Sequence, residues 1–287
     1  MVYKNKEEEN SAIDQAWNAL YQRLEREGLI TKEVSGNHQR QLIADASKFA
    51  VAAAIIIACI FSGWYFTRKK RLHNETMLVL YNEAQAPTLA TMLGDGSVVY
   101  LSEQTSLKYP ERFAEDKREV FLQGEAFFEI KNQPGRPFVI DTEIAGVEVK
   151  GTSFKIKSEH GTSFSLSVRE GEVRVTQKNG HQSLSVQAGE TAIFDAGQIQ
   201  LEKSDAGFNE FFSHIRFKDE RLDDVAAIIN LHLKTLQLKI DPAVGNRILT
   251  FTFIVNGNIT ETAGLICKAL DLHLSQHDHI LYISKPE

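Results

Sequence analysis

Only two cysteines occur among the 287 residues, and they are far apart: Cys59 sits inside an apolar run and Cys267 near the far end. A bridge between them would have to reach from that run to a distal segment, so no disulfide is expected and cysteine usage leaves the redox compartment open. Basic charge is not in excess. With a formal net charge of -6 the chain lacks the positive footprint that holds phosphate backbones, which argues against direct nucleic-acid binding. Signature motifs of common catalysts are missing as well: there is no phosphate-binding loop, no HExxH zinc motif and no GxSxG elbow. His273, His277 and His279 with Asp271 and Asp278 invite a metal reading, but His277 to His279 read as the tip of a closing hairpin. A solvated turn is the expectation there, with no metal and no cofactor.

One long hydrophobic stretch is present. From Ser47 to Phe66 the text reads SKFAVAAAIIIACIFSGWYF, with no charge after Lys48. Twenty helical residues span about 30 Å, the thickness of a bilayer core. Its Phe, Ile and Val residues together favour insertion by on the order of 2 to 5 kcal/mol. Trp64 and Tyr65 suit the headgroup belt, and Arg68, Lys69, Lys70 and Arg71 follow as anchors. Three other readings compete. A buried core helix is one; a signal peptide is another, although an organised segment would precede it. Ile56, Ile57, Ala58 and Cys59 also resemble a lipoprotein cleavage box. Orientation is undecided by charge, with Lys32, Arg40 and Lys48 on one side and the RKKR block on the other, the block favouring a cytoplasmic C-terminal side.

Before this run, Ile13, Ala16, Trp17, Leu20 and Leu24 recur at helical spacing between Ser11 and Gly28. Ser11 with Asp14 forms a capping-box pattern, and Gly28 supplies a left-handed stop. A second helix is expected from about Asn37 into the apolar run. So short a segment has little of its own chain to pack against, so the stripe of Ile13, Trp17, Leu20 and Leu24 is expected to dock into a partner's groove, with Trp17 as anchor. Folding back, or lying on the membrane surface, is the plainer alternative.

From Thr88 to about Asp195 short alternating runs broken by turns predict a sandwich or roll, each strand with one face to a core and one to water. GDGS at Gly94 to Ser97 reads as a hairpin turn, and Gly124, Gly171, Gly180 and Gly189 are placed at turns. After Gly207 the pattern is β-α-β-β-α-β-β. Asn258 with Glu261 caps its second helix, Ile259, Ala263, Ile266 and Leu270 form a buried stripe, and Cys267 is a small core residue. The fold class expected is therefore a multi-domain membrane protein. Residues 1–47 form a short α-helical segment, 48–67 one transmembrane helix, 68–87 a linker, 88–205 an all-β sandwich or roll and 208–287 a small α+β domain.

The phrases LGDGSVVYLSEQTSLKYP, FLQGEAFFEI, RPFVIDT, VEVKGTSFKI, VREGEVRV and AGETAIF, in this order, resemble the hallmark segments of the FecR family of membrane-bound anti-sigma factors. AWNALYQRLEREGLI and an apolar run placed before the β domain are similar to that family too. The resemblance implies a cytoplasmic N-terminal segment that binds an extracytoplasmic-function sigma factor. It also implies an inner (plasma) membrane span, N-terminus inside, and a periplasmic remainder that responds to the signalling domain of a TonB-dependent transporter, with release by membrane proteases. The last seventy or so residues resemble the short domain of secretins and of signalling transporters, which implies protein docking by strand addition at a free sheet edge. Some family members cleave themselves at a Gly-Thr bond, which makes Gly151 and Thr152 a speculative self-cleavage site; a plain bulge or turn stands beside that reading. Otherwise no enzyme activity is expected. The alternative function is a membrane-anchored periplasmic scaffold without sigma-factor binding.

Overall fold

The computed structural model describes residues 4–29, 76–159, 163–178, 182–195, 198–203 and 207–286. The chain divides into two compact units, Met1–Arg71 and Leu72–Glu287. In the first, helix α1 spans Lys4–Arg26 and so begins before the expected Ser11; Ser11 and Asp14, expected as a cap, fall inside it. Its end is the expected one. Gly28 has φ +69°, and Leu29 N donates to Leu24 O at 3.0 Å, which closes the last turn.

The second unit is mostly β. One sheet holds β1 (Met77–Asn82), β4 (Thr105–Pro110), the first half of β5 (Arg118–Glu129), β6 (Phe138–Asp141), β7 (Ala145–Val149), β10 (Glu172–Gln177) and β11 (Ser183–Gln187), in that order. The other runs β16 (Ile248–Ile254), β14 (His214–Arg221), β2 (Thr88–Met92), β3 (Val98–Leu101), the second half of β5, β8 (Ser153–Glu159), β9 (Ser163–Glu170), β12 (Glu190–Asp195) and β13 (Gln198–Lys203). Strand β5 belongs to both because it bends at Gly124, which has φ +110° and lies so close to β4 that a β-carbon would sit 2.9 Å from Thr105 Cα. At the bend the Thr105 hydroxyl accepts from Glu125 N at 3.0 Å and lies 3.1 Å from Glu125 O, replacing the lost ladder. Gly124 thus serves a strand bend rather than a turn. Gly171 and Gly189 do sit at turns with positive φ, and Gly180 lies outside the described residues.

Between the sheets lies a core built from Leu107, Val120, Phe128, Ile140, Phe154 and Phe164, among others. A second core lies on the other side of β2, β3 and β5. There Ala90, Val98, Tyr100 and Phe127 meet a 3₁₀ turn (Phe208–Phe212), β14 and helix α2 (Leu222–His232). Helix α3 (Ile259–Leu270) and a three-stranded sheet of β15 (Gln237–Ile240), β18 (Ile280–Ser284) and β17 (His273–His277) complete it.

This second core corrects the expected fold class. The β region and the α+β region are not separate domains of a multi-domain membrane protein: β14 pairs in parallel with β2, Ile215 opposite Thr88, so one sheet runs through both. Residues Val98, Val99, Tyr100 and Leu101 of β3 are all buried, so the face expected to meet water meets the C-terminal elements instead. Among the described residues no helix is long and apolar enough to cross a membrane. The run Phe49–Phe66, Cys59, the span 48–67 and the second helix expected from Asn37 lie outside the described residues. Within the C-terminal elements the β-α-β-β-α-β-β order is as read, and the Asn258 side chain accepts from Thr260 N and Glu261 N. Cys267 is a buried core residue, as expected.

Candidate functional site

The sequence-predicted residues fall in two places. Ile13, Trp17, Leu20 and Leu24 all lie in α1. Trp17 is 57% exposed, Leu20 46% and Tyr21 61%, whereas Leu24 is half-buried. Residues 17, 20, 21 and 24 fall on one face at three- and four-residue spacing. Around them the helix is charged, as in the exposed Arg23–Glu27 pair at 3.3 Å. A helix this polar gains nothing in water from a displayed Trp and Tyr, each a large amphipathic area at low entropic cost to a binder. What the stripe can do chemically is fill an apolar groove.

Gly151 and Thr152 lie in the bend between β7 and β8. The glycine is required by packing, because a β-carbon would come within 2.6 Å of Asn132 Cα. Thr152 is buried, and its hydroxyl donates to Glu172 O at 3.0 Å while its carbonyl accepts from Ile130 N at 3.0 Å. The hydroxyl and the carbonyl are thereby tied into strand connections.

Beside this bend lies a buried charge that the sequence reading did not single out. Arg118 opens β5 with no exposed side-chain surface, and its guanidinium donates to Asp95 Oδ2 at 2.7 Å. It also donates to the carbonyls of Arg136 at 3.1 Å, Lys131 at 2.9 Å and Lys150 at 3.2 Å, and lies over the Phe138 ring. Asp95, at the tip of the GDGS hairpin, also accepts from Ser97 N and from the Ser97 hydroxyl. Four acceptors on three chain segments converge on one cation, in a fork geometry that lysine could not reproduce. The signal was available, since Arg118 shares parity with core-facing Val120 and Leu122.

At the seam of the two halves a second polar chain crosses. The Tyr100 hydroxyl lies 3.0 Å from His232 Nε2 and 3.5 Å from Glu129 Oε2, and Arg169 donates to Glu129 Oε1 at 2.6 Å. Burial, with the Arg169 charge adding to it, pushes the His232 imidazole down to about 4, so it is neutral near pH 7. An imidazole protonated on Nε2 donates to Tyr100, which donates onward to Glu129. Arg169 also lies 4.7 Å from the Phe127 ring centre. Further along, burial raises the Glu220 carboxyl to about 7, opposed by a hydrogen bond from Thr91 and reinforced by Asp224 and Asp219. Neither group carries a sequence motif. The hairpin His277–His279 has Asp278 at φ +51°, the expected turn, and among the described residues no group of three or more His, Cys, Asp or Glu side chains could hold a metal ion.

The second unit is thus a two-sheet β domain with an α+β module grafted onto one sheet, organised by buried polar ties. Residues 84–174 match the family described as FecR protein, so the chain carries a FecR domain. No curated protein matches the chain. Among solved structures, one of a candidate anti-sigma factor from Parabacteroides distasonis is 22% identical, with a TM-score of 0.46, over 74% of this chain and 100% of that one. Another from the same organism, similarly described, is 23% identical, with a TM-score of 0.45, over 73% and 100%.

Proposed function

We propose that this chain is an anti-sigma factor whose helix α1 binds an extracytoplasmic-function sigma factor through Trp17, Leu20, Tyr21 and Leu24. The observation that carries the reading is the exposed aromatic and aliphatic stripe on an otherwise charged helix, in a chain that also holds a FecR domain. The function is binding and release, not turnover. Co-expression of the full chain with extracytoplasmic-function sigma factors and recovery of a stoichiometric complex supports it. A scaffold without sigma-factor binding yields no such complex.

In the same reading the chain sits at the bacterial inner membrane, N-terminus in the cytoplasm and the FecR domain in the periplasm, with regulated proteolysis freeing the N-terminal segment. A TonB-dependent transporter's signalling domain docks on the C-terminal module by strand addition. The three-stranded sheet offers one strand edge better than the other. Asn230 closes β15, donating to Leu238 O at 2.8 Å and accepting from Leu238 N at 2.8 Å, so β17 is the edge for a partner. Ser275→Lys with His277→Lys, lysines being the usual guards of sheet edges, is expected to abolish induction in a reporter assay while leaving the chain's abundance unchanged. Normal induction would refute the docking edge.

A further inference from the structure

Strand β16 ends the larger sheet and, among the described residues, pairs with β14 alone. Its sequence is ILTFTFI, seven residues without charge, proline or glycine, and the one irregularity of the ladder falls between Phe217 and Glu220 on β14. None of the usual guards of an edge strand is present on it. The phase of the free edge follows from the ends of the ladder. Val255 N donates to Ser213 O at 3.3 Å and Leu222 N donates to Arg247 O at 2.8 Å. Odd-numbered residues therefore turn their main-chain groups toward β14, and the alternation of an antiparallel pair turns those of Ile248, Thr250, Thr252 and Ile254 outward. Among the described residues only the Ile254 carbonyl is otherwise engaged, accepting from Gly257 N at 2.9 Å.

The strand is also nearly the same read in either direction. About Phe251, Thr250 mirrors Thr252 and Ile248 mirrors Ile254, with Leu249 opposite Phe253. An antiparallel two-fold through Phe251 therefore sets Thr250 against Thr252 of a second copy as a fully hydrogen-bonded pair, and Ile248 against Ile254 of that copy. Ile248 is 52% exposed and Ile254 51%, while Leu249 and Phe253 stay in the core of their own copy. β-branched pairs directly opposite are among the favourable cross-strand contacts. We infer that β16 is a homodimerisation edge, joining two copies of this chain through an antiparallel β16–β16 pairing centred on Phe251. The occupant is a second copy because the edge is complementary to itself, as an isologous interface must be.

The test uses the full chain in mild detergent, its protein mass followed by light scattering over a range of concentrations. The parent is expected at twice the monomer mass. Ile248→Lys with Ile254→Lys places like charges opposite one another across the two-fold and is expected to weaken the dimer at least tenfold. Ile248→Lys with Ile254→Glu places opposite charges there and restores it, which also shows that a charged strand still folds. A parent that stays monomeric, leaving the edge to a strand of another protein, overturns the proposal. So does a dimer indifferent to the like-charge pair, or one that the opposite-charge pair fails to restore.

Discussion

Arg118 ties three segments to β5 through one guanidinium, and its removal would leave Asp95, 1% exposed in its side chain, as an uncompensated buried charge. Breaking such a pair costs about 3 to 5 kcal/mol. Arg118→Ala is therefore expected to lower Tm by roughly 6 to 20 °C in a thermal melt, at about 2 to 4 °C per kcal/mol for a unit of this size. Two other groups give the seam opposed responses to pH. Glu220 is raised to about 7, so the folded state binds its proton more tightly than the unfolded chain does. That stability is fully present below the ordinary carboxyl value and is lost as pH rises through 7. His232 is lowered to about 4, so its stability is present above the ordinary imidazole value, about 6.5, and is lost as pH falls through 4. Melts across pH 4 to 8 should show Glu220→Gln gaining about 1 to 3 kcal/mol on the parent between the acid and alkaline ends. His232→Gln should gain on the parent in the reverse direction, toward acid. The GDGS hairpin was legible from its turn residues, whereas the partner of Asp95 was not, because Arg118 lies 23 residues further on and reads as a solvated charge. The seam groups were invisible for a related reason: burial by a distant element, not local pattern, sets their chemistry.

At the scale of elements, the periodicity of α1 identified the stripe, and Gly28 its end. Its start was misplaced because Ser11 and Asp14 tolerate a helix interior when the charged residues before them continue the same helix. Alternation also reveals the strands of the FecR domain, whereas Gly124, expected at a turn, is the bend inside β5 that the close approach of Thr105 demands. Met77–Asn82, placed in the expected linker 68–87, is an edge strand against β4. The edges differ in ways that only pairing reveals: β15 is closed by Asn230, while among the described residues no strand pairs with the outer side of β16. Gly151 likewise answers to packing that the sequence does not display, since Asn132 leaves no room for a side chain there.

For the molecule as a whole, hydrophobic pattern could not reveal that residues after Gly207 complete the sheet begun at Thr88. Pattern records which residues are buried, not which distant element buries them, and Tyr100 and Phe127 are covered from more than 80 positions away by Phe211 and Phe212. Deleting residues 208–287 would strip β14 from β2 and expose Tyr100 and Phe127, so loss of induction in such a deletion would report unfolding as readily as lost docking. Substitutions at β17 avoid that ambiguity. The proposed sigma-factor binding belongs to the other unit, to the helix that displays its apolar stripe to solvent. Its most direct test is a titration of the full chain with the purified sigma factor recovered by co-expression, comparing the parent with Trp17→Ala. Trp17 is 57% exposed, so the substitution leaves the helix intact; as a hot-spot anchor its loss is expected to weaken binding about 30-fold, near 2 kcal/mol. An unchanged dissociation constant would contradict the account.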